Sequence, residues 1–273
     1  MNRKHFDRRL LPALVVATAS AAAQAHHPWL LPNATLLDGK DNVVAIDAAA
    51  SEDLFEFDAR GLPLDGLAIT SPDGRAVAAS AVNTSSRHRS SFELTLEQPG
   101  TYRIANLSDG VMVSYRQGGE VKRFRGTREA WEKARPADAS EVRVTRMASR
   151  IETFVARQRA SDRPFASANT GLELIPLDSP VDLSDGDRTR FKLLLEGKPL
   201  ADAAVSLLLG GNRYRYKMGE QNLRTDAQGQ FTVAWQQPGR YWLGVSHATP
   251  GATPEAPPEQ RLSYSATFEV RPR

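Results

Sequence analysis

Residues 92–104 read Phe-Glu-Leu-Thr-Leu-Glu-Gln-Pro-Gly-Thr-Tyr-Arg-Ile. Phe92, Leu94 and Leu96 alternate with polar residues, which is the pattern of a β-strand with one buried and one solvated face. Pro99-Gly100 follows as a turn signal, and a second β-prone run begins after it. The stretch therefore predicts two neighbouring strands of antiparallel β-structure.

Short β-prone runs separated by turn residues continue on both sides of this stretch. They are residues 43–46, 67–69, 76–82, 102–104, 111–115 and 120–124. The last two flank Gln117-Gly118-Gly119, which predicts a hairpin. Because no helical pattern separates the runs, we expect an antiparallel sandwich over residues 29 to about 125, within a first domain of residues 26–125.

A second series of β-prone runs begins near Gly171. They are residues 191–195, 204–209, 214–218, 231–235, 241–245 and 264–270. A loop rich in Pro and Ala, residues 251–258, precedes the last of them. The sequence thus predicts an all-β protein with two β-sandwich domains, immunoglobulin-like or transthyretin-like, the second spanning residues 171–273.

Residues 126–170 join the two predicted domains as a short helix and a linker. Thr127 as a cap and Pro136 as a stop predict the helix over residues 127–135. From Arg116 through Arg163 there are 13 Lys and Arg against 7 Asp and Glu. Contact with an acidic surface is one interpretation, but the bases are dispersed among acids, which favours a solvated connector.

The chain has 273 residues, of which 41% are hydrophobic and 25% charged, and it contains no Cys. These values are typical of globular proteins and exclude a fibrous or disordered chain. At roughly 150 residues per domain, the length corresponds to about two domains. The lack of Cys excludes disulfides, thiolate metal sites and cysteine nucleophiles.

The first 25 residues have the three parts of a secretory signal peptide. Residues 2–9 are basic, residues 10–23 are apolar, and Ala23-Gln24-Ala25 matches a cleavage site. The apolar part has about 14 residues, fewer than the ~20 that span a bilayer, which disfavours the alternative of a retained anchor. We therefore expect cleavage after Ala25 and export to the periplasm.

Removal of this leader changes the charge balance. The full chain has 35 Lys and Arg against 32 Asp and Glu, and four of these bases and one of these acids lie in residues 1–25. The mature chain is formally neutral, so it lacks the global basic field typical of nucleic-acid-binding proteins. We expect no nucleic-acid partner and, at most, peripheral contact with a membrane.

Cleavage after Ala25 makes His26 the first residue of the mature chain. Its α-amine and imidazole can chelate one metal ion, and His27 adds a second imidazole with a peptide nitrogen between the two. Nitrogen-rich sites of this kind suit Cu²⁺ and Ni²⁺. The amine and the imidazole both titrate near neutral pH, so that metal competes with protons there. His26 and His27 are therefore candidate ligands for nickel, cobalt or copper.

Two further histidines are candidates to complete such a site. His88 lies between Arg87 and Arg89 in a polar loop, where the neighbouring cations oppose a bound dication and favour a solvated side chain. His247 follows the predicted strand 241–245, and a role other than metal binding is favoured there. Nothing in the sequence brings either of them to the amino terminus.

The sequence contains no nucleophile elbow, H-E-x-x-H motif, phosphate loop or dinucleotide fingerprint, and we expect no enzyme. Glu52, Asp53, Glu56 and Asp58 form an acidic cluster that fits either a carboxylate site, such as one for Ca²⁺, or a soluble strand edge. Residues 210–216 either present aromatic and cationic side chains to a glycan or acidic ligand, or form a hairpin that faces the core.

Several short motifs of the mature chain match motifs of one known family and occur in the same order along the chain. They are residues 25–30 (Ala-His-His-Pro-Trp-Leu), 99–102, 126–131, 171–177, 197–199, 225–229 and 241–243. On them the chain resembles a family of secreted bacterial proteins of unknown function, often labelled periplasmic components of cobalt or nickel transport. Where similar proteins often carry a His after residues 171–177, this chain has Asp178-Ser179-Pro180. The resemblance implies a metal cargo and a membrane uptake transporter as partner.

Residues 198–243 also resemble transthyretin-like or carboxypeptidase-regulatory-like modules, which mostly bind, present or space other molecules. Two functions are therefore expected. The first is a periplasmic accessory protein that captures nickel, cobalt or copper and passes it to an uptake system. The alternative is a non-catalytic adhesive or ligand-presenting β-sandwich protein of the cell envelope.

Overall fold

The computed structural model describes residues 26–161, 165–215, 219–249, 251 and 259–273. Strands make up 57% of the structure and helices 4%, so the predicted all-β class is confirmed. The predicted leader, residues 1–25, and most of the predicted loop 251–258 lie outside the described residues. No helix in the described ranges is both long enough and apolar enough to cross a membrane.

Within the described ranges, ten strands precede the α-helix and ten follow it. The first ten are β1 (His27–Pro32), β2 (Leu36–Leu37), β3 (Val43–Ser51), β4 (Arg60–Gly61), β5 (Leu67–Thr70), β6 (Ala76–Val77), β7 (Ser80–Asn83), β8 (Ser90–Thr95), β9 (Gly100–Gln117) and β10 (Glu120–Gly126). The α-helix is α1 (Arg128–Ala134). The last ten are β11 (Ser140–Arg157), β12 (Leu172–Pro176), β13 (Leu183–Ser184), β14 (Arg188–Leu195), β15 (Lys198–Pro199), β16 (Ala204–Leu209), β17 (Gln221–Arg224), β18 (Gln230–Ala234), β19 (Gly239–Thr249) and β20 (Gln260–Arg271).

These strands form three sheets. A five-stranded sheet has the order β1-β3-β8-β7, with β4 beside β3. A four-stranded sheet has the order β12-β14-β15, with β18 beside β14. The third sheet has eleven strands in the order β17-β16-β19-β20-β11-β9-β5-β6, with β10, β13 and β2 on its branches. Most pairs are antiparallel, but β11 and β20 run parallel from Arg146 opposite Gln260 to Thr153 opposite Thr267.

The eleven-stranded sheet takes part in two sandwiches. The first core lies between this sheet and the five-stranded sheet and includes Val44, Ile46, Phe92, Leu94, Ile104 and Ile151. The second lies between it and the four-stranded sheet and includes Leu174, Phe191, Phe231, Val233, Leu243 and Phe268. On β11, Val155 belongs to the first core while Phe154 and Ala156 belong to the second. Successive side chains of a strand point to opposite faces, so one strand serves both cores.

Each sandwich contains the same tyrosine corner. In Gln98-Pro99-Gly100-Thr101-Tyr102, the Tyr102 hydroxyl accepts a hydrogen bond from the Gln98 backbone N–H at 2.8 Å. In Gln237-Pro238-Gly239-Arg240-Tyr241, the Tyr241 hydroxyl donates to the Gln237 carbonyl at 2.9 Å. Such corners tie a strand to the turn before it in immunoglobulin-like sandwiches. The repeated Gln-Pro-Gly-x-Tyr phrase thus has one structural role in both units.

The predicted helix and hairpin are confirmed. The Thr127 hydroxyl caps α1 by accepting from the Ala130 N–H at 3.0 Å. Trp131 is the buried residue of the helix and lies against Tyr115 and Phe124. Gly118 and Gly119 make the two-residue hairpin turn with φ of 57° and 84°, the left-handed values that a type I′ turn requires.

The connector differs from the prediction. Residues 140–157, expected to lie in a solvated linker, form the 18-residue strand β11, which pairs with both β9 and β20. The interpretation as a solvated connector is therefore wrong for this segment. The charged residues of β11 led to the wrong prediction, because charged side chains are usually exposed to water. Arg150 and Glu152 are instead buried and form an ion pair with each other. Similarly, part of the predicted strand 214–218 is a 3-10 helix, Asn212–Tyr214.

Candidate functional site

His26 directly precedes β1 and lies beside the acidic turn that follows β3. His27 pairs with Ser51 across β1 and β3, and this pairing brings His26, which precedes His27, close to Glu52, which follows Ser51. The distance from the His26 Nε2 to the Glu52 Oε1 is 3.8 Å. Both side chains are accessible to solvent, with 37% and 77% of their surfaces exposed. An imidazole and a carboxylate thus meet at the amino end of the first strand.

His27, the next residue, is buried. Its ring stands edge-on against the indole of Trp242, with the ring centroids 4.7 Å apart. Burial lowers the pKa of His27, against the opposing effects of a hydrogen bond to the Ser51 backbone and the charge of Glu220. The imidazole is therefore neutral at pH 7, and its buried Nδ1 has no hydrogen-bond partner among the described residues.

The amino-terminal strand is anchored on the back of the second sandwich. Trp29 is fully buried and packs with Leu208 and Trp242, and its indole N–H donates to the Ser51 hydroxyl at 2.8 Å. The indole N–H of Trp242 donates in turn to the Pro28 carbonyl at 2.9 Å. Leu30, on the opposite face of β1, belongs to the first core. Trp29 therefore belongs to the cluster between the two sandwiches, with Ala49 of β3 on one side and Trp242 of β19 on the other, whereas Leu30 packs within the first core.

The other two predicted ligands lie in different surroundings. His88 is exposed, and its Nδ1 is 3.0 Å from the Ala59 carbonyl oxygen. His247 is on β19 opposite Leu262 and is half-buried. In the part of the chain that the structure describes, no three His, Asp or Glu side chains are grouped so that they could hold a metal ion. The four histidines are therefore not gathered into one cluster.

The acidic cluster of residues 52–58 organises a loop. The carboxylate of Asp58 accepts from the backbone N–H groups of Glu52 and Asp53 at 3.1 and 3.0 Å. Asn212 reaches the same loop, because its Oδ1 accepts from the Leu54 N–H at 2.9 Å. Arg213 places its guanidinium 3.9 Å from Asp53 and 3.7 Å from Glu56. These contacts join the described part of the candidate ligand surface, residues 210–215, to the first sandwich.

A buried ion cluster at the middle of the long sheet was not predicted. Glu152 of β11 is fully buried, and its Oε1 accepts from the Arg103 Nε at 2.8 Å and from the Arg150 Nη1 at 3.0 Å. Its other oxygen accepts from the Tyr264 hydroxyl at 2.7 Å. Glu173 is also fully buried, 4.0 Å from the Arg103 guanidinium and 3.6 Å from that of Arg150. Two cations and two anions thus balance in the interior.

The surroundings of Glu173 and Arg103 favour the charged forms of these two side chains. Burial opposes the charge of Glu173, but hydrogen bonds from the Ser167 hydroxyl and the Ala168 N–H, together with both guanidinium groups, lower its pKa. Burial likewise opposes the charge of Arg103, but Glu152, Tyr264 and Glu173 together outweigh this effect and raise the pKa of Arg103. Burial raises the pKa of Tyr264 well above its usual value, so its hydroxyl remains a donor.

Sequence offers one signal for this cluster. Glu152 and Glu173 each interrupt an apolar strand, in Ile151-Glu152-Thr153-Phe154 and Leu172-Glu173-Leu174. A charged residue within a buried run requires a partner. The pairing itself depends on β9, β11, β12 and β20 meeting, which no local pattern predicts.

A cleft of about 240 Å³ adjoins the cluster and is lined by Ser108, Asp109, Arg146, Ser149, Arg150 and Gly171 among others. Its two guanidinium groups are already neutralised. Arg146 contacts Asp109 at 2.6 Å and Glu196 at 2.8 Å, while Arg150 contacts Glu152 and Glu173. The cleft therefore offers hydroxyl groups and paired ions rather than a free charge.

A family model described as "Domain of unknown function (DUF4198)" matches residues 23–249. No curated protein matches the chain. Among solved structures, the D0–D1 domain of intimin is similar at 13% identity and a TM-score of 0.22, over 88% of this chain and 97% of that chain. A DUF4785 family protein from Legionella pneumophila is similar at 11% identity and a TM-score of 0.23, over 80% of this chain and 50% of that chain.

Trypsin-activated alpha-2-macroglobulin from Escherichia coli is similar at 12% identity and a TM-score of 0.22, over 88% of this chain and 15% of that chain.

Proposed function

The chain belongs to the DUF4198 family of unknown function, and on that premise we propose that it is a periplasmic accessory protein that captures nickel, cobalt or copper and hands the ion to a membrane uptake transporter. The proposed capture site is the amino end of the mature chain. The observation that carries the proposal is the approach of the His26 Nε2 to the Glu52 Oε1, at 3.8 Å.

The terminal amine and the side chains supply three kinds of donor group in this proposal. Cleavage after Ala25 frees the α-amine of His26 next to its imidazole, and Glu52 adds a carboxylate from the neighbouring turn. Nitrogen and oxygen donors of this kind suit Ni²⁺, Co²⁺ and Cu²⁺, with copper the most tightly bound. The exposure of both side chains allows an ion to enter and leave, as a cargo site requires.

His27 has a different role in this proposal from His26. Its peptide nitrogen remains a donor for Cu²⁺ or Ni²⁺, while its imidazole packs against Trp242 and holds the strand in place. A buried ring with a lowered pKa is an anchor that stays neutral at the pH of metal binding. We assign no metal to His88 or His247, which lie in separate surroundings.

Calorimetric titration of the mature chain with Cu²⁺, Ni²⁺ and Co²⁺ tests the proposal. Three variants separate the donors: His26→Ala removes the imidazole, a chain with one Gly added before His26 displaces the amine, and Glu52→Gln removes the carboxylate. We expect the first two to lose most of the affinity and Glu52→Gln to lose about 10-fold or more. His88→Ala is the matched control and is expected to bind as the unchanged chain does.

Equal affinities for the mature chain and the Gly-extended chain would remove the amine from the site and overturn the proposal. Mass spectrometry of the native protein is an independent test of the same step. A native chain that starts at any residue other than His26 lacks the chelating amine, and the proposal then fails without a titration.

A second candidate, an adhesive or ligand-presenting protein of the cell envelope, is favoured by the exposed edge strand β7. This strand ends the five-stranded sheet, and all four of its residues are exposed. An open edge of this kind accepts a strand from a partner. If this candidate is right, the metal-free protein binds envelope preparations, and Val82→Lys on β7 removes that binding while metal affinity is unchanged.

A further inference from the structure

Parts of β9, β10 and β11 extend past the first core and form an outer, three-stranded part of the eleven-stranded sheet. Residues 111–117 of β9 pair with β10 on one side and with residues 140–146 of β11 on the other. This three-stranded part has a small core of its own, formed by Val111, Val113, Trp131, Tyr115, Phe124, Val142 and Val144. Helix α1 covers one face, and no helix of the described residues covers the opposite face.

The register decides which residues lie on the uncovered face. Paired residues of neighbouring strands point to the same side. Val113 pairs with Phe124 and Val144, which belong to the core under the helix. Ser114, the next residue, therefore points the other way, and its two partners are Arg123 and Arg143.

The same reasoning adds two more arginines. Arg125 pairs with Met112, and Arg116 pairs with Val121, both at positions in phase with Ser114. We name this surface the arginine face; it consists of Arg116, Arg123, Arg125 and Arg143 around Met112, Ser114 and Val121, and Thr145, the partner of Met112, is buried at its edge. All four arginines are exposed.

Three of these cations have no ion partner among the described residues. The Arg116 Nε contacts the Glu141 Oε2 at 3.0 Å. Arg123, Arg125 and Arg143 make no ion pair with any residue that the structure describes. Burying an unpaired guanidinium against a neutral surface is unfavourable, so charge complementarity favours an anionic partner for this face over a neutral one.

The spacing of the three arginines fits a plane of phosphate groups. Arg123 and Arg143 lie on strands either side of β9, so their backbones are about 10 Å apart, and Arg125 is about 7 Å farther along β10. Each guanidinium can hold a phosphate in a bidentate pair. The separation favours several phosphates over one.

We propose that the arginine face binds an anionic phospholipid surface. Nucleic acid is disfavoured because the aromatic side chains of this part of the sheet, Tyr115, Phe124 and Trp131, lie on the face under the helix and offer no stacking platform. Val121 is 59% exposed at the rim and gives the face an apolar residue beside its cations. The inference does not depend on the metal proposal.

Sedimentation of the mature, metal-free chain with vesicles tests the proposal. The vesicles contain phosphatidylcholine alone or with one-third phosphatidylglycerol. We expect binding to the anionic vesicles only, and loss of that binding at about 0.5 M sodium chloride. The triple variant Arg123→Gln, Arg125→Gln, Arg143→Gln is expected to bind about 100-fold more weakly.

The matched control removes three exposed cations that lie off the arginine face: Lys122→Gln, Arg128→Gln and Arg135→Gln. It changes the net charge equally and is expected to retain most of the binding. An equal loss in both triple variants would assign the effect to net charge and overturn the proposal. Binding to single-stranded DNA as tight as to the vesicles, or no difference between neutral and anionic vesicles, would also overturn it.

Discussion

The imidazole of His27 and the indole of Trp242 meet edge to face, with ring centroids 4.7 Å apart and ring planes at 85°. The two residues belong to the first strand of the protein and to β19 of the second sandwich. The same indole N–H donates to the Pro28 carbonyl. The amino end that carries the proposed metal site is therefore held by the carboxy-terminal half of the chain.

This contact makes the stability of the protein depend on pH. Burial lowers the pKa of His27 below its ordinary value of 6.5, so the unfolded chain takes up a proton at a higher pH than the folded chain. The free energy of unfolding should therefore be unaffected by this group above pH 6.5 and fall as the pH drops below it. Urea denaturation at pH 8 and pH 5 measures the difference.

His27→Phe is the variant that isolates the effect, because Phe keeps an aromatic ring against Trp242 but does not titrate. We expect its unfolding free energy to decline less than that of the unchanged chain over the same pH range. Identical declines in the two proteins would show that other groups cause the pH dependence.

The ring of Trp242 occupies the space that a side chain at position 244 would fill, so only Gly fits there. A Cβ built on Gly244 would lie 1.9 Å from the Trp242 ring, closer than any real contact. Gly244→Ala should therefore displace the indole and destabilise the protein by about 1–3 kcal/mol. Thermal denaturation measures this, and Gly39→Ala is the control, since the nearest atom to a Cβ there is 4.0 Å away. A melting temperature of Gly244→Ala as high as that of the control would contradict the packing described.

Glu152 is the central acceptor of the buried ion cluster. Glu152→Gln leaves Arg103 and Arg150 with reduced compensation in the interior, and we expect a loss of about 3–5 kcal/mol in unfolding free energy. The matched control is Glu141→Gln, which breaks an exposed pair with Arg116 and should change stability little. Chemical denaturation compares the two, and similar small changes in both would mean that the buried cluster contributes little.

The two tyrosine corners should contribute alike. Tyr102→Phe and Tyr241→Phe each remove one buried hydroxyl from a bond to the turn before it, and each should lose about 0.5–1.5 kcal/mol. Tyr115→Phe is the control, since Tyr115 packs on Trp131 through its ring. Denaturation midpoints test the prediction, which fails if one corner variant is as stable as the unchanged chain.

Local sequence patterns are sufficient to predict the all-β fold class. The alternation of Phe92, Leu94 and Leu96, the turn at Pro99-Gly100 and the hairpin at Gly118-Gly119 predict strands and turns that the structure contains, and Thr127 predicts the helix start. Each of these signals acts over a few residues, through side-chain alternation, fixed backbone torsions or a cap. Such effects are encoded by neighbours in the chain.

Strand β11 could not be predicted from local sequence patterns. Its Arg and Glu residues suggested a solvated linker, because the partners that neutralise Arg150 and Glu152 come from β9, β12 and β20. The position of the strand between β9 and β20 depends on contacts across most of the chain. A charged side chain can be buried only where groups from distant parts of the chain neutralise it. The spacing of residues in the sequence does not show which distant groups come together.

The candidate site divides in the same way. The sequence alone indicated that a processed amino terminus would present two adjacent histidines with metal-binding chemistry, since that depends on covalent structure. The packing of the two sandwiches then gave the pair unequal roles: His26 lies beside Glu52 in solvent, and His27 is enclosed against Trp242. The reason is geometric, because adjacent residues at the start of a strand point to opposite sides and only one of those sides faces the second sandwich.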